Sequence, residues 1–139
     1  MPIEISYLIA SVALFFLMIL AQSVGAIFSG KASAAELAGA RDNLPSSGLT
    51  PFHGRAKRAQ ANMIEGMMMF TPLILAAAYL DAFNAMTALG AALFFWARLV
   101  FAPCYWFGVP WLRTLVWFVS IAGIMLIFLQ ILPFSEVTP

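Results

Sequence analysis

Charged residues are scarce in this chain of 139 residues: seven Lys or Arg and six Asp or Glu make up 9% of it, and 63% of the residues are hydrophobic. A soluble domain is about half apolar and about one-quarter charged. A soluble fold of this length has too little interior to hide so much apolar surface. The formal net charge is only +1, and the cations form no basic stripe, so we expect no nucleic-acid partner.

Cysteine and histidine are almost absent as well. Cys104 is the only cysteine, which excludes an intramolecular disulfide and a cysteine-based metal cluster. His53 is the only histidine, and with no second His or Cys nearby we expect it to be a surface or interfacial residue. The sequence therefore predicts no metal site.

Long apolar stretches are what the chain has in abundance. A helix needs about 20 apolar residues to cross a bilayer, and backbone groups in lipid need internal partners, which only helices supply here. Thr50 and Pro51 suit the N-cap and first position of the second span. The predicted spans are residues 5–28, 51–80, 84–105 and 110–132. The first has no Lys or Arg before it, so we expect a retained span and not a signal peptide.

The connections between spans predict the topology. Only residues 29–50 form a long connection, part of which (32–40) extends the first helix or forms a short surface helix. The links at 81–84 and 106–110 are brief, and short links imply antiparallel neighbours. The predicted fold is all-α: an integral membrane four-helix, up-down-up-down bundle, with a single domain over residues 1–139.

The distribution of charge predicts an orientation. Cations cluster in the long connection and at the start of the second span, whereas the opposite side carries only acids. The cations are Lys31, Arg41, Arg55, Lys57 and Arg58, and the acids are Glu4, Asp81 and Glu136. The positive-inside rule places the long connection in the cytoplasm and both termini on the other side.

Polar residues also share one face of the second span. Because each helical residue advances 100°, Arg55, Arg58, Asn62 and Glu65 fall within an arc of about 80°. Gln60 points elsewhere.

The third and fourth spans add polar residues at the same depth. Arg98 and Tyr105 are seven residues apart, so they lie on one face of the third span, with Phe101 between them, and Arg113 stands in the first turn of the fourth. An Arg at the bilayer centre costs about 2.5–3.5 kcal/mol on insertion scales. We therefore expect Arg98 to pair with Glu65, at a similar depth.

Two interpretations of these residues stay open. In one, the cations reach the interface and a single buried ion pair fixes helix packing, although a buried pair is weak support for stability. In the other, the residues form a cationic pocket beside lipid, suited to a small anionic, water-soluble ligand that meets an apolar one.

Three segments resemble one known family. They are R-A-K-R-A-Q-A-N-M-I-E (55–65), A-R-L-V-F-A-P-C-Y (97–105) and V-P-W-L-R-T-L-V-W (109–117). Their order and spacing resemble the MAPEG family, the membrane-associated proteins in eicosanoid and glutathione metabolism. The resemblance implies a homotrimer in a bacterial inner membrane, with glutathione held between subunits near the cytoplasmic face. The co-substrate would be a lipophilic electrophile or hydroperoxide that arrives through the lipid.

The resemblance also implies roles for individual residues. Arg113 corresponds to the arginine thought to steady the glutathione thiolate, which makes it the candidate catalytic residue of a transferase or peroxidase. The candidate glutathione-binding residues are Arg55, Arg58, Gln60, Asn62, Glu65, Arg98 and Tyr105.

Two departures from the family pattern keep an alternative open. Phe101 stands where better-known members carry a Tyr or His, and only Lys31 follows the first span, where those members carry several basic residues. Both favour a non-enzymatic membrane module for ligand sensing or partner binding. A small multidrug exporter ranks lower, because such exporters use an acid deep in the first span and Glu4 lies at its edge.

Overall fold

A computed structural model describes residues 1–132 of the chain as five helices. These are α1 (Ile3–Ile27), α2 (Ala34–Ala38), α3 (Pro51–Tyr79), α4 (Ala85–Trp106) and α5 (Pro110–Ile131). Within this part of the chain there is no strand, and α1, α3, α4 and α5 are long and apolar enough to cross a membrane. The prediction of an all-helical bundle with four membrane spans is confirmed. The predicted placement of Glu136 lies outside the described residues.

Short polar side chains fix where the helices begin. Thr50 Oγ1 accepts a hydrogen bond from the backbone N–H of His53 (3.1 Å), and Pro51 occupies the first helical turn, as the sequence predicts. The Asn84 side chain accepts from the backbone N–H groups of Met86 and Thr87 at the start of α4, and Thr87 Oγ1 accepts from the Asn84 N–H. These caps satisfy backbone donors that a helix leaves unpaired.

A glycine turn joins α4 to α5. The N–H of Val109 donates to the carbonyl of Cys104 (2.9 Å), the N–H of Gly108 donates to that of Tyr105 (3.2 Å), and Gly108 has φ +71°. This is the Schellman pattern, in which a left-handed residue follows the helix. It turns α5 back beside α4, so that the last turn of one helix lies next to the first turn of the other.

Glu4 lies at the edge of the first span, as the sequence predicts, but it is buried. It is 4% exposed, and Thr87 Oγ1 lies 2.7 Å from its Oε1. Thr87 stands in the first turn of α4, whose positive end favours a nearby carboxylate. Glu4 therefore ties α1 to α4 at the end of the bundle that lacks cations. The position of Glu4 near the end of α1 did not predict its burial, because the residue that covers it belongs to α4.

The core lies where α1, α3 and α4 meet and α5 closes against α4. Phe70 of α3 stacks on Phe94 of α4 with ring centroids 4.0 Å apart, and Met18, Met63 and Ile127 are almost completely buried around them. Only 22–44% of each span is buried within the chain. The rest of the apolar surface is therefore left for lipid or for other protein chains.

Glycines set the distance between α4 and α5. A Cβ atom built on Gly90 would stand 2.5 Å from the carbonyl oxygen of Gly123, and one built on Gly123 would stand 2.5 Å from the carbonyl oxygen of Gly90. Small residues allow this close backbone approach between membrane helices.

We expect Gly123→Ala to lower the free energy of unfolding by about 1–3 kcal/mol, the usual range for overpacking. The new methyl group would also meet the Phe94 backbone nitrogen at 2.9 Å, so the two helices must move apart. Unfolding in mixed detergent micelles, followed by circular dichroism, measures the change. Ala122→Val adds bulk at an exposed position of the same helix and serves as the control. Equal stabilities for the two variants would contradict the close-contact account.

Candidate functional site

A polar pocket of about 250 Å³ lies between α3, α4 and α5, at the end of the bundle that carries the long connection. It is lined by Asn62, Phe101, Tyr105, Arg113, Thr114 and Trp117. Asn62, Tyr105 and Arg113 are predicted site residues from three different spans, and the structure brings them together here.

Arg98 lies behind this pocket and is almost completely buried, at 1% exposure. Its Nη1 donates a hydrogen bond to Oδ1 of Asn62. Its Cζ lies 5.5 Å from the ring centroid of Phe94 and 5.2 Å from that of Phe101, within the range of cation–π attraction. Its Nε has no hydrogen-bond partner in the described part of the chain. The guanidinium is thus a buried cation held by one amide and two aromatic rings.

Gly66 makes room for this guanidinium. A Cβ atom at position 66 would stand 2.8 Å from Arg98 Nη2. Gly66 follows Asn62 by four residues and therefore lies on the same side of α3. One face of α3 thus supplies both the hydrogen-bond acceptor and the space for the cation.

The expected pairing of Arg98 with Glu65 is wrong. Glu65 is exposed on the single chain, and no hydrogen bond or ion pair joins it to Arg98 among the residues the structure describes, although its charge acts on the guanidinium. The reason is rotational: Glu65 lies about 100° around α3 from Gly66, which faces Arg98. The prediction relied on the similar membrane depth of the two residues, which does not require their side chains to face each other.

Arg113 lies over the ring of Tyr105, with Cζ 4.6 Å from the ring centroid. The glycine turn between α4 and α5 produces this contact, because it brings the ends of the two helices side by side. Arg113 is half-buried and lines the pocket. The aromatic ring holds the guanidinium while its N–H groups stay available for an anion.

The other predicted site residues lie elsewhere on the single chain. Arg55 Nε donates to the carbonyl oxygen of Trp106 (2.8 Å), so this cation binds the carboxyl end of α4. Arg58 is exposed, like Glu65, and half-buried Gln60 lies on another side of α3. None of these four lines the pocket.

Sequence reasoning missed two lining residues and a groove. Trp117 follows Arg113 by one helical turn, a spacing that would have placed it on the same face, and Thr114 is the neighbour of Arg113. Farther along α3 and α5 lies a groove of about 400 Å³ with only apolar lining. Its residues are Met69, Pro72, Leu73, Ile121, Ile124, Met125 and Phe128. Met69 lies about 10 Å along α3 from Asn62, so the groove lies closer to the middle of the span than the polar pocket does.

Four membrane spans and a cationic pocket at one end of the bundle define a polytopic integral membrane protein with a candidate site for an anionic ligand. The chain belongs to the MAPEG family, whose family model matches residues 7–133. The match covers most of α1, all of α3, α4 and α5 and every residue of the pocket, and it confirms the resemblance seen in the sequence. No curated protein and no solved structure matches the chain with significance.

We expect Arg98→Met to leave the free energy of unfolding unchanged or to raise it. Replacing a buried charged group with an apolar side chain of similar size is often neutral or stabilising, by about 1–4 kcal/mol. Asn62→Ala is the matched variant: it keeps the buried cation and removes its one hydrogen-bond acceptor, so we expect a loss of about 1–3 kcal/mol. Unfolding in detergent micelles measures both. A larger loss for Arg98→Met than for Asn62→Ala would show that Arg98 serves stability.

Proposed function

We propose that this protein is a glutathione-dependent membrane transferase or peroxidase that acts on lipophilic electrophiles or hydroperoxides. The observation that carries the proposal is the meeting of Asn62, Tyr105 and Arg113 in one polar pocket, with Arg98 buried behind Asn62 and an apolar groove farther along α3 and α5. Membership of the MAPEG family supports the same chemistry.

Glutathione is an anionic tripeptide, and the pocket offers complementary groups. The Asn62 amide N–H₂ group and the Arg113 guanidinium supply donors for its carboxylates and peptide oxygens. The Tyr105 hydroxyl has no hydrogen-bond partner among the residues the structure describes, so it remains available to a ligand. Arg98, already positioned by two rings, adds a fixed positive charge behind these groups.

The chemical task of the site is to hold the glutathione sulfur as a thiolate, because the thiolate is the nucleophile and a free thiol has a pKa near about 8.5. Lowering that pKa by about two units takes roughly 2.7 kcal/mol of differential stabilisation. A half-buried guanidinium at Arg113 supplies charge at that point, and the free N–H groups in the first turn of α5 favour an anion as well.

The apolar groove suits the second substrate. A hydrophobic electrophile that lies against Met69 and Phe128 would reach the polar pocket from within the bilayer. In the transferase reaction, the thiolate sulfur bonds to the electrophilic carbon while the bond from that carbon to its leaving group breaks. In the peroxidase reaction, two glutathione molecules are oxidised to the disulfide and the hydroperoxide is reduced to an alcohol and water.

A second candidate function is a non-enzymatic membrane module that binds a ligand without turnover. The position of Phe101 favours it. This ring lines the pocket, packs edge-on against Tyr105 (5.4 Å between centroids) and contacts Arg98, but it offers no hydrogen bond to a ligand.

We also propose that the functional form is a homotrimer assembled along α3, with the long connection on the cytoplasmic side of a bacterial inner membrane and both termini on the other side. Exposed residues recur along α3 at alternating spacings of three and four, the pattern of a helix-packing seam. They are Arg58, Ala61, Glu65, Met68, Pro72, Leu75 and Tyr79. Assembly along this seam would place Arg58 and Glu65 at a subunit interface, where they would complete the site.

We expect wild-type protein in detergent to bind glutathione and to show the ultraviolet absorbance of a thiolate, and we expect Arg113→Ala to lose that absorbance. Binding should weaken less, because Asn62, Arg98 and Tyr105 remain. Thr114→Ala, which changes an uncharged residue of the same pocket, is the control and should keep the signal. No binding of millimolar glutathione by intact oligomers would overturn the proposal. Binding without turnover of any electrophile or hydroperoxide tested would favour the non-enzymatic module.

For the oligomer, we expect light scattering corrected for detergent to give three times the mass of the chain. Leu75→Glu should shift the protein toward monomers, because it places a charge in the proposed seam. Leu115→Glu puts the same charge on a similarly exposed residue of α5 (62% against 54%) and should leave the trimer intact. A monomeric wild type, or dissociation by Leu115→Glu alone, would rule out assembly along α3.

A further inference from the structure

Two adjoining cavities lie beneath the connection between α1 and α3, away from the pocket that holds Arg113. One measures about 190 Å³ and the other about 310 Å³. Their linings share four residues: Gln22, Ala26, Leu37 and Arg41. The last turns of α1 and the first turns of α3 form the floor, and α2 with its flanking residues forms the roof.

A buried polar pair holds the first cavity in shape. The backbone N–H of Leu49 donates to Nδ1 of His53 (2.9 Å), so the proton of the neutral ring is on Nε2. Nε2 of the Gln22 amide lies 3.0 Å from that ring nitrogen, so Gln22 of α1 contacts His53 of α3 at the cavity wall.

Two cations line the first cavity, and neither cavity has an acidic residue in its lining. Lys57 Nζ donates to the carbonyl oxygen of Ser46 (3.0 Å), and Arg41 Nε donates to that of Leu37 (2.5 Å). Each side chain is anchored by one donor, and the other ammonium and guanidinium N–H groups have no partner among the described residues. Arg41 also has φ +61°, a conformation that costs a non-glycine residue free energy and that often marks a functional position.

The second cavity is mainly apolar. Besides the four shared residues, its lining contains Ser23, Ile27, Ala34 and Ala38. On the same part of α1, Val24 and Ile27 are 48% and 60% exposed, so the cavity borders the surface that this span presents to lipid. A cationic compartment and an apolar one thus meet at the membrane interface, where anionic lipid headgroups gather around basic residues.

We propose that these cavities bind the phosphate group of an anionic phospholipid, with the phosphate between Arg41 and Lys57 and the start of an acyl chain against the apolar lining. A free phosphate ester would satisfy the same cations. The lipid is favoured because the apolar cavity adjoins the cationic one and lies beside exposed apolar residues of α1. The site is independent of the pocket that contains Arg113.

Native mass spectrometry of the full chain, released from detergent, tests the proposal with dioleoyl phosphatidylglycerol as the probe. We expect saturable binding that exceeds that of the zwitterionic dioleoyl phosphatidylcholine, and we expect Arg41→Gln and Lys57→Gln each to weaken it about fivefold. Lys31→Gln is the matched control. Lys31 belongs to the same connection but lines neither cavity, so this variant should bind the lipid as wild type does. If Arg41→Gln changes the conformation of the loop around Arg41, Lys57→Gln still tests the proposal, because Lys57 lies on α3.

Three results would overturn the assignment. The first is equal binding of the two lipids, and the second is unchanged phosphatidylglycerol binding in Lys57→Gln. The third is binding of sn-glycerol 3-phosphate at the same cations as tightly as the diacyl lipid, which would assign the site to a soluble phosphate ester. Glutathione binding should stay unchanged in both variants, which separates this site from the proposed enzymatic one.

Discussion

The burial of the Arg98 guanidinium is the constraint on which the candidate site depends. A cation at this depth needs compensation, and the structure supplies one amide oxygen, two aromatic rings and the space left by a glycine. That compensation is partial, because Nε stays without a hydrogen-bond partner in the described chain. A helix bundle that needed only stability would place an apolar residue here. An under-compensated cation beside an open polar pocket is the arrangement expected of a binding site for an anion.

The fold serves this site by bringing three helix segments to one level. Asn62 and Gly66 lie on one face of α3, Arg98 and Tyr105 lie on one face of α4, and the Gly108 turn returns the chain so that Arg113 covers the Tyr105 ring. The other end of the bundle holds Glu4 against the start of α4. Polar contacts at both ends of the bundle thus fix the rotation of each apolar helix about its own axis. Contact with lipid alone would leave that rotation weakly specified.

The sequence was enough to predict the four spans, because apolar length and capping residues at Thr50 and Pro51 are local signals. Helical periodicity was enough to place Asn62 on a polar face of its helix and to align Arg98 with Tyr105. It failed for Glu65, because periodicity orders residues around one helix but does not say which angle faces a neighbour. It also gave no sign that Glu4 is buried, since the covering residue, Thr87, lies 83 residues away in sequence. The two cavities beneath the connection between α1 and α3 depend on how that connection folds, and no repeating sequence pattern predicts its fold.

The most direct test of the central claim is an experimental structure of the protein with glutathione bound. The account predicts the tripeptide in the pocket between α3, α4 and α5, with its sulfur at hydrogen-bonding distance from the Arg113 guanidinium and an anionic or carbonyl oxygen near the Asn62–Arg98 pair. Glutathione bound elsewhere on the protein, with Arg113 still stacked on Tyr105 and the pocket free of ligand, would contradict it.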